Sequence, residues 1–261
     1  MTDDGSGRQV EIALLPPGLE RAAILSFLRE SELAPIGRLV TASNVTLLCR
    51  AELAGAGEGG EPLVGTCVYK PVRGEAPLWD FPDGTLGSRE IAAFAMSEAS
   101  GWDIVPPTVF RDGPYGNGMV QLWIDVDESV DVVDLVRRDD PCLRPLAVFD
   151  VVVNNADRKA GHLLRTAGGH VHGVDHGVCF AVEPKLRTVL WGWMGERLTR
   201  AELDVLRRLR RDLDGPLGTT LGEHLARREV TATARRLDRF IEEARLPMPD
   251  PGRPAIPWPW Y

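Results

Sequence analysis

Phe149-Asp150-Val151-Val152-Val153-Asn154-Asn155-Ala156-Asp157-Arg158, followed after a short interval by Val174-Asp175-His176-Gly177, is the part of the chain from which its architecture is best read. Leu143 to Asn155 is nearly apolar throughout, which predicts a buried helix. That helix runs directly into a burst of polar residues ending at His162, the pattern of a buried support that delivers a loop to a cleft. Asp157 lies in this loop, where a carboxylate can accept a proton or orient a nucleophilic hydroxyl. A short hairpin is expected next, His162 to Arg165 and His170 to Val174 around a Thr166-Ala167-Gly168-Gly169 turn. It leads into Asp175. A carboxylate leaving a strand just before Gly177 is suited to hold Mg²⁺, which takes hard oxygen ligands.

Upstream the texture is different. Gly37 to Thr41, Asn44 to Arg50 and Leu63 to Lys70 are rich in β-branched residues and separated by turn-formers, which predicts three antiparallel strands. Thr108 to Arg111 and Met119 to Ile124 form a further pair around a Gly-rich turn. Helices are expected over Leu19 to Glu30 and over Ser88 to Ser100, the second capped by Ser88 and ended by Gly101. Beyond Ser129 the chain turns helical: Val130 to Arg138, Leu143 to Asn155, Arg200 to Leu213 and Val230 to Arg245. The expectation is an α+β protein, with an N-terminal antiparallel-sheet lobe over residues 1–125 and an α-rich C-terminal lobe over residues 126–261.

Composition narrows the function. The 261 residues are 44% hydrophobic and 26% charged, as in a soluble globular protein. With 30 basic residues against 38 acidic, the net charge of −8 argues against a nucleic-acid partner, which usually selects a basic excess. No apolar run approaches the ~20 residues of a transmembrane segment, and the start lacks the order of a secretory signal, so the reading is cytoplasmic. Cys49, Cys67, Cys142 and Cys179 form no close pair and are expected to be buried thiols. Only three of the 30 basic residues are lysines (Lys70, Lys159 and Lys185), so a retained lysine draws notice as a compact ammonium that arginine does not replace.

Four features then stand in chain order: a turn over Gly37 to Asn44 whose N–H groups and Ser43 hydroxyl suit phosphate, Lys70 at a strand end with Glu90 in the following helix, the Asp157 loop, and Asp175. A lysine that neutralises nucleotide phosphates needs a carboxylate to hold its flexible stem, and this order of parts is what a two-lobed phosphotransferase requires. Here the chain resembles the phosphatidylinositol 3-/4-kinase-like branch of the protein-kinase superfold, and in particular an uncharacterised, mainly actinobacterial family distantly related to those lipid kinases. The resemblance covers about residues 35–245 and rests chiefly on Phe149 to Arg158 and Val174 to Gly177.

The resemblance implies a protein-kinase-like fold, ATP and Mg²⁺ (or Mn²⁺) as cofactors, and transfer of the γ-phosphate to a hydroxyl of a protein, metabolite or lipid. It implies that Lys70 contacts the phosphates, that Glu90 pairs with it, and that Ser43 and Asn44 contribute to nucleotide binding. Gln121, Leu122 and Trp123 would offer backbone groups to adenine, with Asp157 the catalytic aspartate and Asp175 the main metal ligand. One departure stands out. Where the family usually has a metal-binding Asn five positions after the catalytic Asp, this chain has His162, which suits Mn²⁺ better than Mg²⁺, unless Asn155 or another oxygen substitutes. That departure keeps two alternatives open, a nucleotide-binding pseudokinase and a nucleotidyl transferase. His170 and His172 alternate along a strand and could hold zinc, but only His176 or His162 suggests itself as a third ligand. Arg207, Arg208, Arg210 and Arg211 read as a solvated helix face, and the Pro-Trp tail at Trp258 to Tyr261 as a segment that docks on its own domain or on a partner.

Overall fold

β-Branched residues and turn-formers in the first half produce an all-antiparallel sheet of five strands. The computed structural model describes residues 10–39 and 44–261. Contacts divide the chain into two units, Met1–Ile91 with Pro106–Asp125, and Ala92–Val105 with Val126–Tyr261.

The first unit holds α1 (Arg21–Glu30), β1 (Glu32–Arg38), β2 (Leu47–Leu53), β3 (Leu63–Pro71), β4 (Thr108–Gly113) and β5 (Gly116–Leu122), in sheet order β1-β2-β3-β5-β4. Alternation along β3 sends Cys67 and Tyr69 inward, where they meet Cys49, Ala51, Val109, Val120 and the α1 residues Phe27 and Leu28. Lys70, between two buried neighbours, is only partly covered. Cys49 and Cys67 are opposite one another in register and both are free thiols; burial pushes Cys49 up to about 12 and Cys67 higher still, which makes them inert core residues.

The first strand departs from expectation. β1 begins at Glu32 and runs through Pro35, with an irregularity between Pro35 and Gly37; a proline is tolerated there because β1 is an edge strand. Residues 40–43 of the expected phosphate-binding turn, Ser43 among them, lie outside the described residues. The β4–β5 hairpin is also tighter than a long Gly-rich loop, since Gly113 pairs with Gly116 around Pro114-Tyr115. Its glycines make room for Tyr69: a Cβ on Gly113 or Gly118 would stand 2.8 or 2.7 Å from that ring.

α2 (Leu86–Ser100) begins in the first unit and continues into the second. Ser88 is inside this helix and does not cap it. The cap is remote: Glu75 accepts hydrogen bonds from the N–H groups of Leu86 (3.1 Å) and Gly87 (2.9 Å). Gly101, at φ +70°, ends the helix as expected.

The second unit is built on α3 (Val132–Arg137), α4 (Arg144–Val153), the β6–β7 hairpin (Leu163–Arg165 and Val171–Gly173) and α5 (Arg200–Asp212), α6 (Pro216–His224) and α7 (Arg227–Glu243). α4 is buried on nearly every side, which explains its apolar sequence. The unexpected element is α6. It has Pro216 in its first turn and buries Leu217 and Leu221, but Gly218, Thr219, Thr220 and Gly222 dilute its helical signal. The arginine run on α5 is a solvated face, as expected, with Arg207, Arg208 and Arg211 exposed and Arg210 half-buried, and it is anchored at two points. Arg208 donates to the carbonyls of Ala99 and Ser100 at the end of α2, and Arg210 bridges Asp214 and Asp238.

Two glycine substitutions test this packing with opposite signs. On Gly118 a Cβ would stand 2.5 Å from the Lys70 carbonyl oxygen and 2.8 Å from Pro71 Cα, so Gly118→Ala is expected to lower stability by about 1–3 kcal/mol. On Gly222, inside α6, a Cβ meets nothing within 4 Å, and Gly222→Ala is expected to raise stability by about 0.5–1 kcal/mol. Urea unfolding of the two variants beside the wild type reads both.

Candidate functional site

In the first unit, β3 carries Lys70 one residue before its end and the early turns of α2 carry Glu90. Lys70 Nζ lies 2.9 Å from Glu90 Oε1, with the Glu90 side chain 2% exposed and that of Lys70 18%. The pair expected from sequence is therefore formed, and the Glu75 cap fixes the helix start from which Glu90 projects. Asn44 is engaged structurally: its Oδ1 accepts from the Ala76 N–H at 2.7 Å, tying the strand entry to the segment that leads to Glu75. Gln121 is buried and donates to Thr108 Oγ1. The N–H groups of Leu122 and Trp123 already donate to the carbonyls of Pro107 and Thr66. Both residues line a cavity of about 270 Å³ with Leu15, Pro17, Ile24 and Thr66.

The second unit gathers the polar loop around one buried ion pair. α4 ends with Asn154 in the left-handed region at φ 53°, which turns the chain sharply. Asn154 then staples the next segment, donating to the carbonyls of Ala181 and Glu183 and accepting from the Lys185 N–H. Asn155 uses both ends of its amide inside the loop: it donates to Asp150 Oδ1 and accepts from the Asp157 N–H. It is therefore part of the loop's own hydrogen-bond framework.

Arg158 is fully buried against the equally buried Asp150, with Nε and Nη2 at 3.0–3.2 Å from the carboxylate. Its remaining donors reach the Val174 carbonyl (2.7 Å) and His176 Nε2 (2.6 Å), and Thr188 donates to the other carboxylate oxygen. Burial works against the Arg158 charge, but Asp150 more than offsets it and holds the guanidinium above its ordinary value. Gly173 leaves the space this requires, since a Cβ there would lie 2.9 Å from Leu146 and 3.2 Å from the guanidinium. His176 is thus a partner of Arg158 rather than part of a histidine metal cluster.

On this platform stand the residues expected to carry chemistry. Asp157 is in contact with Lys159 (3.2 Å) and Arg187 (3.4 Å), and Asp175 with His162 Nε2 (3.4 Å). The Val174 N–H donates to the His162 carbonyl, which brings the two segments side by side. Burial raises the Asp157 pKa; Lys159 and Arg187 oppose the rise and the nearby Asp175 charge adds to it. A carboxylate kept above its usual range beside a second carboxylate is a common mark of a functional site. Asp175 itself is held at φ 62°, in the left-handed region that non-glycine residues rarely occupy.

Several contributors had no local signal in sequence. Arg187 reaches Asp157 and the Ala156 carbonyl, and Arg236 of α7 donates to the carbonyls of Val152 and Ala181. The C-terminal tail docks on its own unit: the Ala160 N–H donates to the Trp260 carbonyl, and the Thr188 N–H and Trp191 indole donate to that of Ala255.

These observations define an α+β protein with a buried-glutamate lysine pair in its sheet unit and a carboxylate-bearing loop, braced by a buried arginine, in its helical unit. The chain belongs to the family of the Mycobacterium tuberculosis protein Rv2133c, to which it is 42% identical over 269 aligned positions, covering 90% of this chain and 94% of that protein. No established family profile matches it. Among solved structures it is similar to a Helicobacter pylori proinflammatory kinase, CtkA, with a TM-score of 0.49, 13% identity and coverage of 84% of this chain and 94% of that one. No helix among the described residues is long and apolar enough to cross a membrane.

The loop predicts a separation of stability from chemistry. Arg158→Ala leaves Asp150 charged and buried, and is expected to cost about 3–5 kcal/mol in urea unfolding. Asp157→Asn should not lower the melting temperature at neutral pH. A raised folded-state pKa means the ionised Asp157 opposes folding above the ordinary carboxylate range, an opposition that is relieved as pH falls, so removing the charge relieves it too.

Proposed function

We propose that the protein is an ATP-dependent phosphotransferase, in which Lys70 and Glu90 are the phosphate-binding pair and Asp157 and Asp175 the carboxylates of the transfer reaction. The observation that carries the reading is Asp157: a desolvated carboxylate, flanked by Lys159 and Arg187 and set beside Asp175, on a loop whose backbone is locked from below. Two neighbouring carboxylates of this kind are best reconciled by a divalent cation. Asp175 offers a hard oxygen and His162 a ring nitrogen beside it, a donor set that accommodates Mg²⁺ and suits Mn²⁺ better. These two residues would hold the ion, which supplies charge neutralisation for the phosphates when bound.

The chain's own groups do the rest. Lys70 presents a compact ammonium to phosphate oxygens, and the buried Glu90 removes the positional freedom of its stem. Asp157 accepts a hydrogen bond from the acceptor hydroxyl, aligns its lone pair with the γ-phosphorus, and takes the proton as the new P–O bond forms and the β,γ-bridge breaks. The raised pKa of Asp157 favours that proton transfer over an ordinary exposed aspartate. Lys159, 3.2 Å from Asp157, would meet the charge of the transferred group.

A second reading, nucleotide binding without γ-transfer or with transfer of the nucleotidyl group, draws on one feature. His162 stands against Asp175 where an amide oxygen would be the better magnesium ligand.

Thermal melts with ATP and Mg²⁺ or Mn²⁺ test the binding step. The wild type is expected to gain stability with nucleotide and metal, and Lys70→Ala and Asp175→Ala to lose that gain, while an unresponsive wild type rejects the proposal. Incubation with γ- or α-labelled ATP then separates the readings. Label from the γ position on protein or on an added hydroxyl acceptor, abolished in Asp157→Asn, is the expected result; α label indicates nucleotidyl transfer, and binding without either label indicates a regulatory nucleotide-binding module.

A further inference from the structure

His170 and His172 stand on one face of the β6–β7 hairpin, and the structure supplies the third partner that their spacing did not. Asp103, in the segment after α2, lies against them: one ligand atom from each of Asp103, His170 and His172 falls within 4.8 Å of the others. All three belong to the second unit, though 67 positions separate Asp103 from His170 in the chain.

The His170 tautomer is arranged for coordination. His170 Nε2 is 2.8 Å from the Asp103 carbonyl oxygen, which accepts only a proton-bearing nitrogen, so the lone pair of a neutral His170 ring sits on Nδ1. This is the orienting hydrogen bond that metal-bound histidines usually make through their other nitrogen. His172 is 8% exposed, and its buried Nδ1 has no hydrogen-bond partner among the described residues. A buried imidazole nitrogen without a partner is costly unless something binds it. The two rings meet edge to face with centroids 4.5 Å apart.

We propose that Asp103, His170 and His172 form a zinc site, closed by a water molecule or a further ligand, that clips the segment after α2 to strand β7. Two imidazoles and a carboxylate with one open position are a common zinc donor set. Ligand atoms around tetrahedral zinc are spaced about 3.3 Å apart, given bonds of 2.0–2.1 Å. Zinc binding therefore draws the three donor atoms closer than their present spread of up to 4.8 Å. The site is independent of the phosphotransfer reading, although β7 leads directly to Asp175.

The test uses the full chain carrying no histidine tag, stripped of metal with a chelator, and titrated with Zn²⁺ against a competing chelator and with Co²⁺ by visible absorption. One tightly bound Zn²⁺ per chain is expected, with tetrahedral Co²⁺ bands. His170→Ala, His172→Ala and Asp103→Asn should each weaken binding at least about 10-fold, whereas Asp175→Asn should leave it unchanged. Should His172→Ala not fold, the exposed His170→Ala decides. A wild type that binds no zinc, a His170→Ala variant with wild-type affinity, or loss of binding in Asp175→Asn would each overturn the assignment, leaving the cluster as hairpin packing or the zinc at the carboxylate loop.

Discussion

Asp150 and Arg158 face each other with both side chains fully removed from solvent, and the geometry of the second unit follows from how that pair is satisfied. Taking two charges out of water is costly, and the mutual attraction repays it only when every remaining donor and lone pair is also used. Here the accounts are closed by Asn155 and Thr188 on the carboxylate and by the Val174 carbonyl and His176 on the guanidinium. Those four partners come from the loop after α4, from the segment beyond the hairpin and from the end of β7. One ion pair therefore sets three backbone segments relative to one another, and Asp157 and Asp175 inherit their positions from it. The apolar α4 serves this arrangement, since an Asp can be buried on a helix only where its charge is met from outside the helix.

The first unit solves a smaller problem in a similar way. A lysine stem has four rotatable carbons, and a buried Glu90 restricts it to one position. That restriction depends on where α2 begins, hence on Glu75, a carboxylate that reaches the helix from the preceding irregular segment. In both units, a charged side chain that could do chemistry stands on another charged side chain that does none.

What was legible in the sequence follows the range of the interactions. The buried α4 was plain in the run Leu143 to Asn155, because a helix surrounded by core must be apolar on all faces. Four of the five strands were readable from β-branched runs and turn-formers, whereas β1 starts at Glu32, ahead of the run expected from Gly37; the Lys70–Glu90 pair was readable from a strand followed by a helix. Glu75, Arg187, Arg208 and Arg236 were not readable, because each acts on a backbone group or side chain brought near only by folding. The same holds for Asp103: the sequence offered only His176 or His162 as a third partner for His170 and His172, and neither is the residue that folding brings against them. α6 lacks a sequence signal for a local reason, its glycines and threonines, and Ser88 has the look of a cap only because serine so often is one.

The bond between the Ala160 N–H and the Trp260 carbonyl joins the loop to residues made long after it. Translation proceeds from the N-terminus at about 5–20 residues per second, so on the order of ten seconds pass between synthesis of the loop and synthesis of its clasp. Through that interval the nascent loop has water in place of the tail. Its backbone reaches its final set of partners only late in biosynthesis, a delay imposed by chain order alone.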